Sequence, residues 1–277
     1  MIRILLCLPL CLCLGSDRPN VEPAVPAAAA ARADVVKDTG AALPSAAEME
    51  KLARTDPVAF LENCIRRCVR EVKGYSLTLQ KQENIAGKIQ PSEIVQVHFR
   101  EKPHSVFFNW VEGARLAERV LYVEGENDGK MLARPKGGLA RIVAGDVTAR
   151  EVNGPDARNS ARYTMDQFGF KKSTERTLLS WKTARDAGTL NVEYLGRSKV
   201  KEVGDKECYI LKRIAKEPEN DGVKESLYYF DSDTWLQVGV VLKDDKGLLI
   251  GSYYFRDLKL NPEFKKDQFT PAALKPS

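Results

Sequence analysis

Val95–Trp110 reads VQVHFREKPHSVFFNW, and it decides the fold class. Val95, Val97 and Phe99 alternate with Gln96, His98 and Arg100. Beyond the Lys102-Pro103-His104 break, Val106, Phe108 and Trp110 alternate with Ser105, Phe107 and Asn109. Apolar residues at period two on either side of a short proline-containing break predict an antiparallel hairpin. Pairing the two arms across that break puts Phe99 and Phe108 on one sheet face. That face either packs against a helix near the N-terminus or forms the wall of a ligand site, and the pattern alone leaves both readings open.

The same period extends in both directions. Leu77 and Leu79 alternate with polar neighbours upstream. Downstream, strands are expected over Arg119–Glu124 and Lys130–Arg134, separated by an Asn127-Asp128-Gly129 turn of a kind that favours hairpins. Further strands are expected over Asn191–Gly196, Glu207–Arg213, Ser226–Phe230, Trp235–Lys243 and Leu249–Leu258.

Helices are expected at two places. Ser45 and Glu48 have capping-box spacing, and Asp56-Pro57 reads as a second helix start. In that second helix Leu61, Cys64, Ile65, Cys68 and Val72 share one face, which makes the two cysteines core residues. Thr164 and Gln167 repeat the capping-box spacing ahead of a helical region from Met165 to Ala187, with an interruption at Gly169. Few helices among many antiparallel strands give an α+β fold: a strongly curved sheet or partial barrel with helices against its inner face.

The N-terminus points to a compartment. Met1, Ile2 and Arg3 precede an apolar run from Ile4 to Leu14, too short at about 11 residues to span a bilayer as a helix and suited to a signal peptide. Residues 1–15 are therefore expected as a signal peptide, 16–43 as an Ala/Pro-rich linker and 44–277 as a single domain. Export to the periplasm or cell envelope follows. Cys7, Cys11 and Cys13 each follow a leucine rather than a small residue, so a soluble form is expected over a lipid-anchored one. Removal of the signal leaves Cys64, Cys68 and Cys208, with one bridge or none equally open.

The charges exclude little. Forty-three Lys and Arg stand against 38 Asp and Glu, a net +5, and the basic groups are interspersed with acids, so no nucleic-acid partner is expected. No G-x-S-x-G, H-E-x-x-H, C-x-x-C or G-x-G-x-x-G motif is present. Gly125–Met131, GENDGKM, lacks both the spacing and the hydroxyl of a phosphate loop, and reads as a solvent turn. Asp231 and Asp233 read as turn residues rather than an acid-base pair. No cofactor, metal or catalytic residue is assigned.

YSLTLQKQENIAG from Tyr75, FREKPHSVFFNW from Phe99 and VLYVEG from Val120 resemble, in that order, the secreted bacterial family Domain of Unknown Function 1571. YYFDSDTWLQVGVVLKDDKGLLIGSYYFRDLKLNP from Tyr228 is similar to the wider LolA/LolB/RseB-like lipoprotein-carrier group. Together the resemblance covers Tyr75–Phe269. It implies a LolA-like half-barrel, a strongly curved antiparallel sheet of about 11 strands with helices packed on the concave face, without enzymatic activity, that takes an apolar ligand such as a lipid or an acylated protein. The alternative it implies is an RseB-like sensor or interaction module with a membrane-associated partner. A hydrolase with an unrecognised site is a third class. The helical region near Phe168–Ala187 departs from that pattern and is placed to plug the cavity. The strand aromatics and their in-phase neighbours are the candidate cavity wall: Val95, Val97, Phe99, Val106, Phe108, Trp110, Tyr122, Tyr228, Phe230 and Tyr254.

Overall fold

The computed structural model describes residues 36–138 and 145–275. The signal peptide and residues 16–35 of the expected linker lie outside the described residues. Two helices, α1 (Ala46–Thr55) and α2 (Pro57–Glu71), precede the strands β1 (Gly74–Ile85), β2 (Lys88–Ile89), β3 (Glu93–Arg100), β4 (Ser105–Glu112), β5 (Ala117–Val123), β6 (Lys130–Pro135) and β7 (Thr148–Glu151). A short α3 (Pro155–Arg158) and the long α4 (Phe170–Asp186) follow, then β8 (Val192–Val200), β9 (Lys206–Ile214), β10 (Glu225–Asp231), β11 (Gln237–Lys243) and β12 (Leu249–Leu260).

The strands form one antiparallel sheet in the order β7-β6-β5-β4-β3-β1-β12-β11-β10-β9-β8, with β2 paired to β1 alone. Each half is a meander, and β1 pairs with β12 to join the halves. The hairpin that decides the fold has Val97 opposite Phe108 and Phe99 opposite Val106, so the two phenylalanines share a face as the alternation predicts. The fold is the α+β half-barrel expected, with its helices on the concave face.

Both N-terminal helices begin as the sequence dictates. Ser45 Oγ accepts from the Glu48 amide, and the Ser45 amide donates to Glu48 Oε2 at 2.6 Å. Asp56 Oδ1 accepts from the Ala59 amide at 3.0 Å. The stripe of α2 is buried, and Phe60 packs edge-on against Tyr209 and Phe230, with ring centroids 5.5 and 5.2 Å away. Through Phe60 the N-terminal helices cover β9 and β10. Helix α4 lies beside α2, tied by a Lys182–Glu62 ion pair at 2.7 Å, and seats Trp181 on Tyr228.

Several expectations change in detail. No capping box forms at Thr164, whose hydroxyl donates to Asp166 Oδ1. A short 3-10 turn ends at Gln167, and Gly169, at φ +130°, caps the start of α4 at Phe170. Trp235 is not in a strand: Asp231 Oδ1 accepts from the Asp233 and Thr234 amides, and the resulting turn leaves Trp235 at φ +61°. Of the expected linker, residues 36–43 lie against the helices, with Val36 and Leu43 on the core and Asp38 paired to Arg70 at 2.6 Å.

The convex face has its own small core. Phe107, Leu121, Val123 and Leu132 are covered by Phe269 and Leu274 of the C-terminal segment, and Arg119 Nη1 donates to the Ala273 carbonyl at 3.1 Å. Cys64, Cys68 and Cys208 are free and buried. Burial raises all three thiols, Cys68 and Cys208 to about 12, which keeps them protonated and unreactive.

Candidate functional site

Period two sets which side chains enter the concavity. On β1 the inward series is Tyr75, Leu77, Leu79, Lys81 and Glu83, apolar at one end and charged at the other. The facing positions on β3 repeat this order, with Phe99, Val97 and Val95 opposite the apolar end and Glu93 opposite Lys81. Between that surface and α4 lies a cavity of about 1220 Å³, above the ~300–1,000 Å³ usual for small-molecule sites. Its sheet wall includes Leu79, Phe108, Val120, Met131, Ala133, Val240 and Leu242, and its roof includes Phe168, Phe170 and the Ser173, Arg176 and Ser180 face of α4. Helix α4 therefore roofs the cavity and does not plug it.

Of the candidate residues, Phe108, Trp110 and Tyr228 line the cavity. Phe108 meets Phe168 and Trp110 edge-on at 5.0 and 5.6 Å. Val95, Val97, Phe99, Val106, Tyr122 and Phe230 share the concave face but are packed into the core beneath other side chains. Phe99, for example, stacks on Tyr75 at 4.6 Å and touches His104 and Phe168. Tyr254 is misplaced by the sequence reading: it pairs with Gln80 and packs on Tyr229 across the convex face. Its neighbours Tyr253 and Phe255 are the ones that reach the cavity. An adjacent aromatic pair offers no phase of its own, and only the strand register settles which member points inward.

The charged end of the wall was missed altogether. Lys81 Nζ lies 3.0 Å from Glu83 Oε2 and 3.4 Å from Glu93 Oε2. Glu93 also accepts from Trp110 Nε1 at 2.6 Å and Arg115 Nε at 3.1 Å. Glu83 Oε1 accepts from Tyr253 Oη at 2.5 Å and from the Arg162 amide at 3.3 Å. Burial, with the Glu83 carboxylate beside it, pushes the Tyr253 phenol well above its ordinary value. Arg115 also donates to the Ser160 carbonyl, so the cluster fastens the segment around residues 160–162 to the sheet. Its sequence signal was the continuation of the β1 and β3 alternation into Lys81, Glu83 and Glu93, charges exactly in phase with buried leucines and valines.

Two more ion pairs close the far side: Arg162 with Asp221, and Arg213 Nη1 with Glu219 Oε1 at 2.5 Å. Arg162 and Arg176 flank the Tyr163 ring, with guanidinium carbons 5.8 and 4.5 Å from its centroid. Among the described residues no group of His, Cys, Asp and Glu is placed to hold a metal ion, and no helix is long and apolar enough to cross a membrane. Asp231, read from the sequence as a turn residue, spends Oδ1 on two backbone amides and does not line the cavity.

No curated protein matches the chain. Among solved structures it is similar to the MucA/MucB complex of Pseudomonas aeruginosa, at 16% identity over 79% of this chain with a TM-score of 0.47. The match spans 62% of that chain, less than two thirds of its length. It is also similar to the Mycobacterium tuberculosis lipoprotein LppX, at 10% identity over 76% of this chain and 99% of that one, TM-score 0.41. A LolA superfamily protein from Nitrosomonas europaea aligns at 8% identity over 77% and 98% of the two chains, TM-score 0.34. Residues 72–275 match the family model described as "Protein of unknown function (DUF1571)", and the chain belongs to that family.

Proposed function

We propose that the chain is a non-enzymatic protein of the cell envelope that holds a lipid, the acyl chain of a lipoprotein or another apolar ligand in the cavity beneath α4. The observation that carries this reading is the cavity itself: about 1220 Å³, with aliphatic and aromatic side chains along the sheet and Phe168 and Phe170 in the roof. A folded chain gains little from keeping so large an apolar surface unpacked, whereas an acyl chain entering it contributes about 0.8 kcal/mol per methylene. About 12 methylenes give roughly 10 kcal/mol before ordering costs. No reacting group is needed for that.

Organic extraction of the purified full chain, followed by mass spectrometry, is expected to release a long-chain lipid in near-stoichiometric amount. The stripped protein is expected to take up a fluorescent fatty acid. A chain that yields no lipid and takes up no probe sinks the proposal. Recovery of a membrane protein by crosslinking to that empty chain would favour the interaction-module alternative.

A further inference from the structure

The cavity wall is one negative charge short. Seven basic and six acidic side chains line it. The carboxylates in the interior are matched by the pairs described above, Arg150 and Asp156 meet at 3.5 Å, and Lys216 and Glu217 are exposed at the rim. Arg176 is left over. Its Nη1 donates to the Gln167 carbonyl at 2.8 Å and its guanidinium lies over Tyr163, yet no carboxylate is paired with it among the described residues. Arg162, on the same tyrosine, has a buried Nε with no acceptor.

A guanidinium held in an apolar enclosure without a counter-ion is costly, and its planar fork is shaped to grip a carboxylate. Burial lowers the pKa of Arg176, the direction expected of a cation that lacks its anion. The rest of the wall combines Phe168, Phe170 and the sheet aliphatics with the uncharged hydroxyls of Ser173, Thr177 and Ser180 on α4. Charge and apolar surface in one enclosure describe the complement of an amphiphile.

We infer that the ligand is a single-headed anionic amphiphile, a long-chain carboxylate, whose head group pairs with Arg176 beneath α4 while its tail lies along the β4–β6 wall. This rests on the apolar-ligand reading and adds to it the charge and position of the head. One surplus positive charge matches a monoanion; a dianionic phosphate would leave a buried negative charge unmatched.

The test uses the delipidated full chain with two probes, cis-parinaric acid and its methyl ester, which share a tail and differ in charge. The wild type is expected to bind the acid about tenfold or more tightly than the ester, the size of a charge-assisted hydrogen bond. Arg176→Gln is expected to bring the two within about twofold, and Arg176→Lys to keep a preference for the acid. Ester bound as well as acid by the wild type, or a preference that survives Arg176→Gln, overturns the head-group assignment and leaves the cavity reading standing. A folded wild type that binds neither probe overturns both. If the variants do not fold, equal binding of acid and ester by the wild type still overturns the assignment.

Discussion

Lys81 is nearly inaccessible to solvent, and so are the two carboxylates it separates. Taking one cation from a buried cluster leaves charges that neither water nor protein can match. Lys81→Met is therefore expected to lower the free energy of unfolding by about 3–5 kcal/mol, read from urea titration. Adding Glu83→Gln should restore part of the loss; an unchanged midpoint in the single variant would mean that the cluster is solvated. His104 is a second residue whose burial has a measurable sign. Desolvation lowers its pKa from 6.5, with the ring against Phe99 and Tyr122. Below pH 6.5 the unfolded chain takes up a proton that the folded chain refuses, so stability falls as pH falls from 6.5 toward the depressed folded value. Between pH 7.5 and 5.5 the wild type is expected to lose stability relative to His104→Gln; parallel curves would contradict this.

At the scale of elements, Gly169 links the loop over the cavity to α4. Its φ of +130° is open to few residues besides glycine, and an added Cβ would lie 3.1 Å from the Phe99 ring. Gly169→Ala is expected to cost about 1–3 kcal/mol and to loosen the α4 N-terminus, visible as faster amide exchange in Phe170–Thr174. Unchanged exchange would show that the roof is fixed elsewhere. The interruption at Gly169 was legible, as were the caps of α1 and α2 and the β3–β4 hairpin, because each rests on contacts only a few residues apart. Strand β7 was not: its four residues, TARE, carry no alternation of their own and are ordered by pairing with β6. The charged end of β1 was visible as a pattern, but its meaning depended on Glu93, Arg115 and Tyr253 arriving from other strands. The inward phase of β12 was hidden for the same reason, which is how Tyr254 was chosen in place of Tyr253. The C-terminal cover of Phe107 and Leu121 is a contact between distant parts of the chain, and no local period announces it.

Across the whole molecule, the half-barrel places two kinds of surface to different ends. The region under α1 and α2 is filled by Phe60, Tyr209 and Phe230 and holds the fold together. The region under α4 is filled only in part, by Phe170, Leu178 and Trp181, and encloses the cavity beside them. Ala133 lines the cavity on the sheet wall, where a larger side chain would take up cavity volume. The most direct test of the account is a fluorescence titration of the delipidated chain with cis-parinaric acid, run beside Ala133→Trp with thermal melting to show that both are folded. The account predicts saturable binding near one probe per wild-type chain and at least tenfold weaker binding by the variant. Equal binding by two folded proteins, or none by the wild type, would contradict it.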